Sequence, residues 1–312
     1  MSRSVHVRTT LIAPAVCAGL LLAGCGGESG ADDGAVSLGF VNGGTSEFHT
    51  CLEKAVQKAA KADGAELITV NSRQNAATEL ANMEDLIARG VDAIILQTVN
   101  NDALEGGIAK AKAAGIPLYL TSVVSDPDDI LGAVVVDLKK VGRLDADWVA
   151  EDAGGEQVQA GVIAGAPGAA SDLLVEGFVE GLPDNVTVVA NQPGMFNAAK
   201  AQDVADNMIQ AHPELRYAFV ANEEMALAAR KAFDAAGADV RIVTTNGTEA
   251  GLEAVRSGKL SATVANSPIP IGETAVRNTL DALDEKRIEK VSYAPYVLVT
   301  ADNADQAPRY CP

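Results

Sequence analysis

From Val36 onward, short apolar runs alternate regularly with longer runs that have helical apolar spacing. Residues 36–41 form one such short run. In the next run, Leu52, Ala55 and Val56 recur at the three- and four-residue intervals that place apolar side chains on one helix face. A strand-helix-strand order makes consecutive strands parallel and places helices on both faces of the sheet. The pattern therefore predicts an α/β fold with mostly parallel sheets.

The predicted elements fall into two series, and the second begins after Asp137. In the first we expect strands at residues 36–41, 66–70, 93–96 and 118–121, and helices at residues 52–62, 77–89 and 103–114. In the second we expect helices at residues 138–153 and 172–181, and strands at residues 158–164, 186–190, 217–221, 241–244 and 262–265. A chain of 312 residues has room for two domains. Because no linker rich in Pro, Gly or Ser separates the series, we expect the chain to cross directly between them near Asp137.

The N-terminus carries the pattern of an export signal. Arg3 and Arg8 precede an uncharged apolar stretch, residues 11–23, that is too short to span a bilayer. The stretch ends in Leu-Ala-Gly followed by Cys25, which resembles a bacterial lipobox. We expect a signal peptide at residues 1–24, lipid on Cys25 and a flexible tether over residues 25–35. The alternative is an ordinary secretory signal with a chance cysteine.

Processing would leave two cysteines in the mature chain. Cys17 would leave with the signal and Cys25 would carry lipid, so only Cys51 and Cys311 remain. Outside the cytoplasm a leftover pair can form a disulfide. The alternative is two free thiols, one in a helix and one at the end of the chain.

Composition and motifs argue against several classes of function. The net charge of −18 does not suit nucleic acid, which needs a basic surface. No G-x-S-x-G nucleophile elbow occurs, and His49 and His212 have no obvious partners for a triad or a metal site. We therefore expect no enzyme activity, no metal and no cofactor. Asp172 with Glu223 could in principle form a carboxylate pair of a hydrolase, but separate polar contacts are the simpler interpretation.

Polar and aromatic residues follow the predicted strands. In α/β sheets, ligands bind beyond the carboxyl ends of the strands, and amides offer both donors and acceptors to a hydroxylated ligand. Asn and Ser also favour turns for purely local reasons, but here nearly every strand end carries such residues. The candidate ligand-binding residues are Ser46, Phe48, His49, Gln97, Thr121, Ser122, Asp172, Phe196, Asn222, Asn246 and Asn266.

These residues and three longer segments resemble the periplasmic sugar-binding proteins of the ribose-binding type, which serve ABC transporters. The resemblance runs from Val36 to Val299 and is densest at residues 75–97, 220–230 and 246–266. It implies two doubly wound parallel-sheet lobes joined by a three-segment hinge, with a ligand cleft between them. The lobes would comprise residues 36–137 plus 267–297, and residues 138–266 plus 298–312 with the C-terminal tail.

The sequence departs from the family where charged residues usually hold a sugar. Thr121 and Ser122 stand where an Asp-Arg pair is common, Asp172 stands where an arginine often lies, and Asn246 replaces an Asp. We therefore expect a small neutral or amine-bearing polyol as ligand.

By the same resemblance, we expect a monomer outside the cytoplasm that touches the membrane only through its lipid. Its partner would be the permease of an ABC importer. A chemoreceptor or another signalling protein that senses the closed form is the alternative partner.

Overall fold

The computed structural model describes residues 35–312. The expected signal peptide, the lipidated Cys25 and nearly all of the tether lie outside the described residues. The helices and strands follow the order that the apolar pattern predicts, and they form two sheets of six strands each.

The first sheet is built mainly from the first half of the chain. Its elements in that half are β1 (Ser37–Asn42), α1 (Glu47–Ala62), β2 (Glu66–Asn71), α2 (Ala76–Ala88), β3 (Ala93–Leu96), α3 (Asn101–Ala114), β4 (Leu118–Thr121) and β5 (Gly132–Val135). The chain then enters the second lobe through α4 (Leu138–Ala153), β6 (Val158–Ala164), α5 (Ala169–Gly181), β7 (Val186–Pro193), α6 (Ala198–Ala211), β8 (Leu215–Val220), α7 (Glu223–Ala235), β9 (Arg241–Asn246), α8 (Glu249–Arg256) and β10 (Ala262–Ala265).

The last part of the chain contributes to both lobes. Helix α9 (Pro268–Leu283) packs against α1, and β11 (Val291–Tyr293) pairs with β5. Strand β12 (Val297–Val299) then pairs with β10 in the second sheet, and a short 3₁₀ turn follows at Ala304–Gln306. The chain therefore crosses between the lobes after β5, after β10 and after β11, which confirms the predicted three-segment hinge.

The strand order in the first sheet is β11-β5-β4-β3-β1-β2, and in the second it is β12-β10-β9-β8-β6-β7. All neighbouring pairs are parallel except β10 with β12. Central strands are apolar on both faces because helices cover both faces; every residue of β3, β4 and β10 is buried. In such sheets the order reverses beside the first strand of each half, and the crevice at that point is where ligands bind.

Three strands are missing from the sequence prediction, and two helices begin three or more residues earlier than predicted. Strands β5, β11 and β12 have only three or four residues and lie outside the predicted strands. Helix α1 begins at Glu47 rather than Leu52, and α5 begins at Ala169 rather than Asp172. The earlier start of α5 moves Asp172 from the strand end into the first turn of the helix, with consequences for the cleft.

Candidate functional site

The ends of strands from both lobes surround one cavity of about 120 Å³. One water needs roughly 10–15 Å³ of such volume, so the cavity has room for a single small molecule. Among the predicted residues it is lined by Ser46, Phe48, His49, Gln97, Ser122, Phe196, Asn222, Asn246 and Asn266. These come from strand ends, from the loops after strands of both sheets and from the first turn of α1, so the fold brings together side chains that are up to 220 positions apart in the chain (266 minus 46).

The two lobes touch on either side of the cavity. The backbone N–H of Glu47, at the start of α1, donates to Oε1 of Glu224 on α7 at 3.2 Å. Elsewhere, Gly168 approaches the loop after β3 so closely that a Cβ there would lie 3.4 Å from the carbonyl oxygen of Val99. The structure therefore shows the cleft in a closed arrangement.

Three buried polar atoms around the cavity have no hydrogen-bond partner. They are Oε1 of Gln97, Oγ of Ser122 and Oδ1 of Asn266, and their residues are only 5–9% exposed. Buried polar atoms are paired in most native proteins, so each unpaired one needs an explanation. A hydroxylated ligand that donates to these atoms would provide it.

Backbone strain is concentrated at the same place. Among the described residues, seven other than glycine have a positive φ, and four of these line the cavity: Gln74, Ser122, Phe196 and Asn246. The φ of 139° at Asn246 is especially unusual for a residue with a side chain. Strained conformations persist where the surrounding structure fixes them, and they cluster at ligand sites.

His49 is a neutral polar group in this site. Its Nδ1 lies 2.7 Å from Oγ of Ser46, and its ring packs so closely over Gly44 that a Cβ there would approach Cε1 to 2.7 Å. Burial lowers the pKa of His49 to about 4, although the side chain of Gln97 has a smaller effect that raises the pKa. A neutral imidazole has one donor and one acceptor, which suits a ligand hydroxyl.

Two aromatic rings add apolar surface. Phe48 and His49 meet edge to face with their ring centroids 5.8 Å apart. The ring of Phe196 lies directly over Gly165, where a Cβ would be 2.1 Å from Cζ and so could not be accommodated. Glycine at position 165 therefore makes room for the ring beside the cavity.

A buried glutamate holds the ligand-side loops in each lobe. In the first lobe, Glu79 accepts hydrogen bonds from the hydroxyl of Thr98 at 2.7 Å and the N–H of Val99 at 2.6 Å. In the second lobe, Glu223 accepts from the N–H groups of Gly247 and Thr248 at 2.8 and 2.7 Å.

The hydroxyl of Thr263 also donates to Glu223, at 2.6 Å. Burial raises the pKa of both Glu79 and Glu223, while the hydrogen bonds oppose the shift. Neither glutamate lines the cavity, so both position the loops rather than contact a ligand.

Two predicted residues do not reach the cavity. Thr121 is completely buried, and its hydroxyl donates to the carbonyl oxygen of Leu96 at 3.3 Å, whereas the next residue, Ser122, lines the cavity. Asp172 is exposed on the outer face of α5, together with Glu176 and Glu180 at four-residue spacing. The prediction that Asp172 faces the cleft is wrong because α5 begins three residues earlier than its sequence pattern indicated.

Sequence reasoning also missed residues that line the cavity. Gln74 and Thr98 carry no distinctive local signal, and Val136, Leu138, Ala170 and Leu174 follow the apolar pattern of ordinary core residues. No Asp, Glu, Lys or Arg is part of the described lining. Within residues 35–312 no three His, Cys, Asp or Glu side chains are grouped to hold a metal ion, and no helix is long and apolar enough to cross a membrane.

A comparison with known protein families agrees with the two lobes, the closed cleft and the unpaired polar atoms at the strand ends. The model of the periplasmic binding protein domain matches residues 38–287, which is most of the chain. The chain belongs to this family. Its members are extracytoplasmic binding proteins, and this agrees with the resemblance seen in the sequence.

Several similar proteins of the periplasmic binding protein family carry the name of a sugar or polyol. The ribose import binding protein RbsB of Bacillus subtilis is 31% identical over 81% of this chain and 83% of its own length. The xylitol-binding protein of Mycolicibacterium smegmatis is 28% identical over 95% of this chain and 86% of its own. A solved ABC transporter solute binding protein from Bacillus halodurans with bound myo-inositol is 26% identical, with a TM-score of 0.83 over 88% of this chain and 98% of that one.

Proposed function

We propose that this protein captures a small uncharged polyol, such as a sugar or cyclitol, outside the cell membrane and delivers it to the permease of an ABC importer. The observation that carries the proposal is the set of unpaired polar atoms of Gln97, Ser122 and Asn266 around a closed cavity. Gln97 and Ser122 lie in the first lobe, and Asn266 ends the second lobe at the hinge crossing after β10, so one ligand that binds all three can stabilise the closed form.

The ligand carries no charge. A buried ion without an opposite charge is strongly disfavoured, and the described lining offers no charged side chain. The expectation of an amine-bearing ligand depended on the carboxylate of Asp172 lying in the cleft. Because Asp172 lies on the outer surface, that expectation falls away and a neutral polyol remains.

The mechanism follows from the closed arrangement. In the open form the ligand would meet mainly one lobe, and closure would bring the other lobe onto it. The moving units are the lobes that the sequence predicts, residues 36–137 with 267–297 against residues 138–266 with 298–312. The closed form then presents the surface that a permease recognises.

The ligand class can be tested by thermal-shift and calorimetric screening of pentoses, hexoses, cyclitols, nucleosides and amino acids. A true ligand at a hundred times its Kd should add about 2.7 kcal/mol of stability. Gln97→Ala should weaken binding roughly tenfold to a hundredfold, because a buried hydrogen bond is lost. Gln57→Ala, on the exposed face of α1, is the matched control and should bind normally. Binding confined to amino acids or other charged compounds would refute the proposal.

Membrane anchoring is part of the same proposal and rests on the Leu-Ala-Gly-Cys motif that ends at Cys25. Replacing this cysteine should move the protein from the membrane fraction to the soluble fraction of the expressing bacterium, because the acceptor for the lipid is lost. Cys17→Ala, inside the apolar stretch, is the matched control and should leave the protein on the membrane. Membrane association that survives Cys25→Ala would refute lipidation.

A further inference from the structure

Besides its polar groups and the two aromatic rings, the cavity lining has an aliphatic part. Val136, Leu138, Ala170 and Leu174 form an apolar corner where the first hinge crossing meets the start of α4 and α5. Val136, Leu138 and Leu174 belong to one packed apolar cluster, against which Ala170 also packs. The first three are only 4–8% exposed, so the corner is a continuation of the core into the ligand cavity.

The corner has little to offer a hydroxyl group. Leu174 lies in the second turn of α5, where the backbone N–H is engaged within the helix. Ser171 is the polar side chain on this part of the described lining; its Oγ accepts from the N–H of Gly165 at 2.9 Å, and its own proton remains available as a donor. Asp172, the nearest charged residue of α5 in sequence, is exposed on the outer face.

The unpaired polar atoms lie elsewhere on the lining. Gln97 and Ser122 follow β3 and β4 of the first lobe, and Asn266 follows β10 at the second hinge crossing. Asn222 uses its Oδ1 to cap α7 through the N–H of Met225, at 2.9 Å, which leaves its amide N–H groups available to a ligand. A polyol hydroxylated all round would satisfy these groups but would place one hydroxyl against the side chains of Val136, Leu138 and Leu174, which offer it no hydrogen bond.

We infer that the ligand is a polyol with an apolar edge: a deoxy sugar, an O-methylated sugar or another neutral polyol. Such a ligand has a methyl or methylene group at the position where the fully hydroxylated compound exposes a hydroxyl. This inference rests on the proposed function and specifies its ligand class. The apolar group lies against Leu138 and Leu174, and the remaining hydroxyls bind the polar groups of the first lobe and the second crossing. Burial of the apolar group is favourable there, whereas an unpaired hydroxyl at the same place is penalised.

The test compares sugars that differ by one hydroxyl. Calorimetry would measure the affinity for D-fucose against D-galactose, L-rhamnose against L-mannose, and methyl β-D-xylopyranoside against D-xylose. In each pair that binds, the deoxy or methylated member should bind about five- to a hundredfold more tightly. Equal binding, or tighter binding of the fully hydroxylated member, would overturn the inference and leave the proposed function intact. Absence of binding by every neutral polyol tested would instead reject the proposed function and the inference with it.

Variants of the corner provide the second arm. Leu174→Asn should reverse the preference within a pair, since an amide would then face the extra hydroxyl. Ala170→Ser is a smaller change that is compatible with folding at the start of a helix. It should reduce the difference in affinity between the two sugars of a pair. Ala235→Ser, on the exposed end of α7, is the matched control and should leave the preference unchanged. A preference that neither corner variant alters would show that the corner does not contact the ligand.

Discussion

The disulfide between Cys51 and Cys311 joins the first lobe to a tail that leaves from the second. Cys51 is buried on α1, and the two Cα atoms are 5.0 Å apart. Six residues before Cys311, Asp305 pairs with Arg256 of α8 at 3.1 Å. The hydroxyl of Ser267, at the second hinge crossing, donates to the carbonyl oxygen of Arg309 at 2.7 Å. The tail was expected to stay with one lobe; it contacts both and passes beside the hinge.

Removal of this bond should destabilise the protein and widen its open form. Cys51→Ser combined with Cys311→Ser should lower the free energy of unfolding by about 2–5 kcal/mol, since the bond closes a long loop. A tail of six residues can span at most about 20 Å, so a bonded tail limits how far the lobes separate. Small-angle scattering of the ligand-free protein should show a larger radius of gyration in the variant, and reductant should produce the same change in the wild type. Equal radii would show that the tail does not restrain the hinge.

The loop that carries Asn246 should depend on Glu223. In Glu223→Gln, one amide oxygen remains as an acceptor, but the amide N–H groups face the N–H donors of Gly247 or Thr248. At least one buried donor then loses its partner, which should reduce the stability by about 1–3 kcal/mol and also weaken ligand binding. Chemical denaturation and calorimetry measure the two effects. Glu214→Gln, at an exposed position before β8, should change neither. A loss of stability with unchanged affinity would mean that the loop does not shape the cavity.

His49 should make the protein sensitive to acid. Its pKa is lowered from 6.5 to about 4 in the folded state, so the unfolded chain binds a proton more readily. The contribution of a neutral His49 to stability is therefore present above about pH 6.5 and is lost as the pH falls towards 4.

The wild type should thus lose stability relative to His49→Gln over this interval, by up to about 3 kcal/mol. Denaturation at a series of pH values measures the difference between the two proteins. A constant difference between His49→Gln and the wild type would contradict the burial of a neutral imidazole.

Asp145 should reduce stability at neutral pH. It is completely buried on α4, and neither carboxyl oxygen has a hydrogen-bond partner among the described residues. Burial raises its pKa well above the usual range, and the charge of Glu223 adds to the shift. The folded protein therefore holds a proton that the unfolded chain releases, and stability falls as the pH rises above about 4.

Asp145→Asn has the same shape without the charge, so its Tm should exceed that of the wild type by an amount that grows with pH. Thermal unfolding at acid and neutral pH measures this difference. Asp147→Asn, two residues further along α4 and exposed, is the matched control and should show no such gain. A Tm difference that is independent of pH would rule out a charge effect at Asp145.

The apolar pattern of the sequence determined the α/β class, the alternation of strands and helices and the places where strands end. These features depend on local periodicity, which each segment carries by itself. Because parallel strands end at one edge of a sheet, the sequence alone predicts that the polar residues after them lie near one another. The pairing of Cys51 with Cys311 was likewise suggested by counting the cysteines that remain after export.

Only the tertiary structure decided which neighbouring residue faces the ligand. Thr121 and Ser122 are adjacent and both polar, but Thr121 ends β4 with its hydroxyl turned to the carbonyl oxygen of Leu96, whereas Ser122 lies just beyond the strand with a positive φ and lines the cavity. Asp172 lies outside because α5 begins at Ala169. Leu138 and Leu174 have the pattern of core residues; they line the cavity because the packing of α4 on α5 and the closure of the lobes leave a ligand-sized space beside them. The local sequence carries no signal for that space, since the space exists only between elements that are distant in the chain.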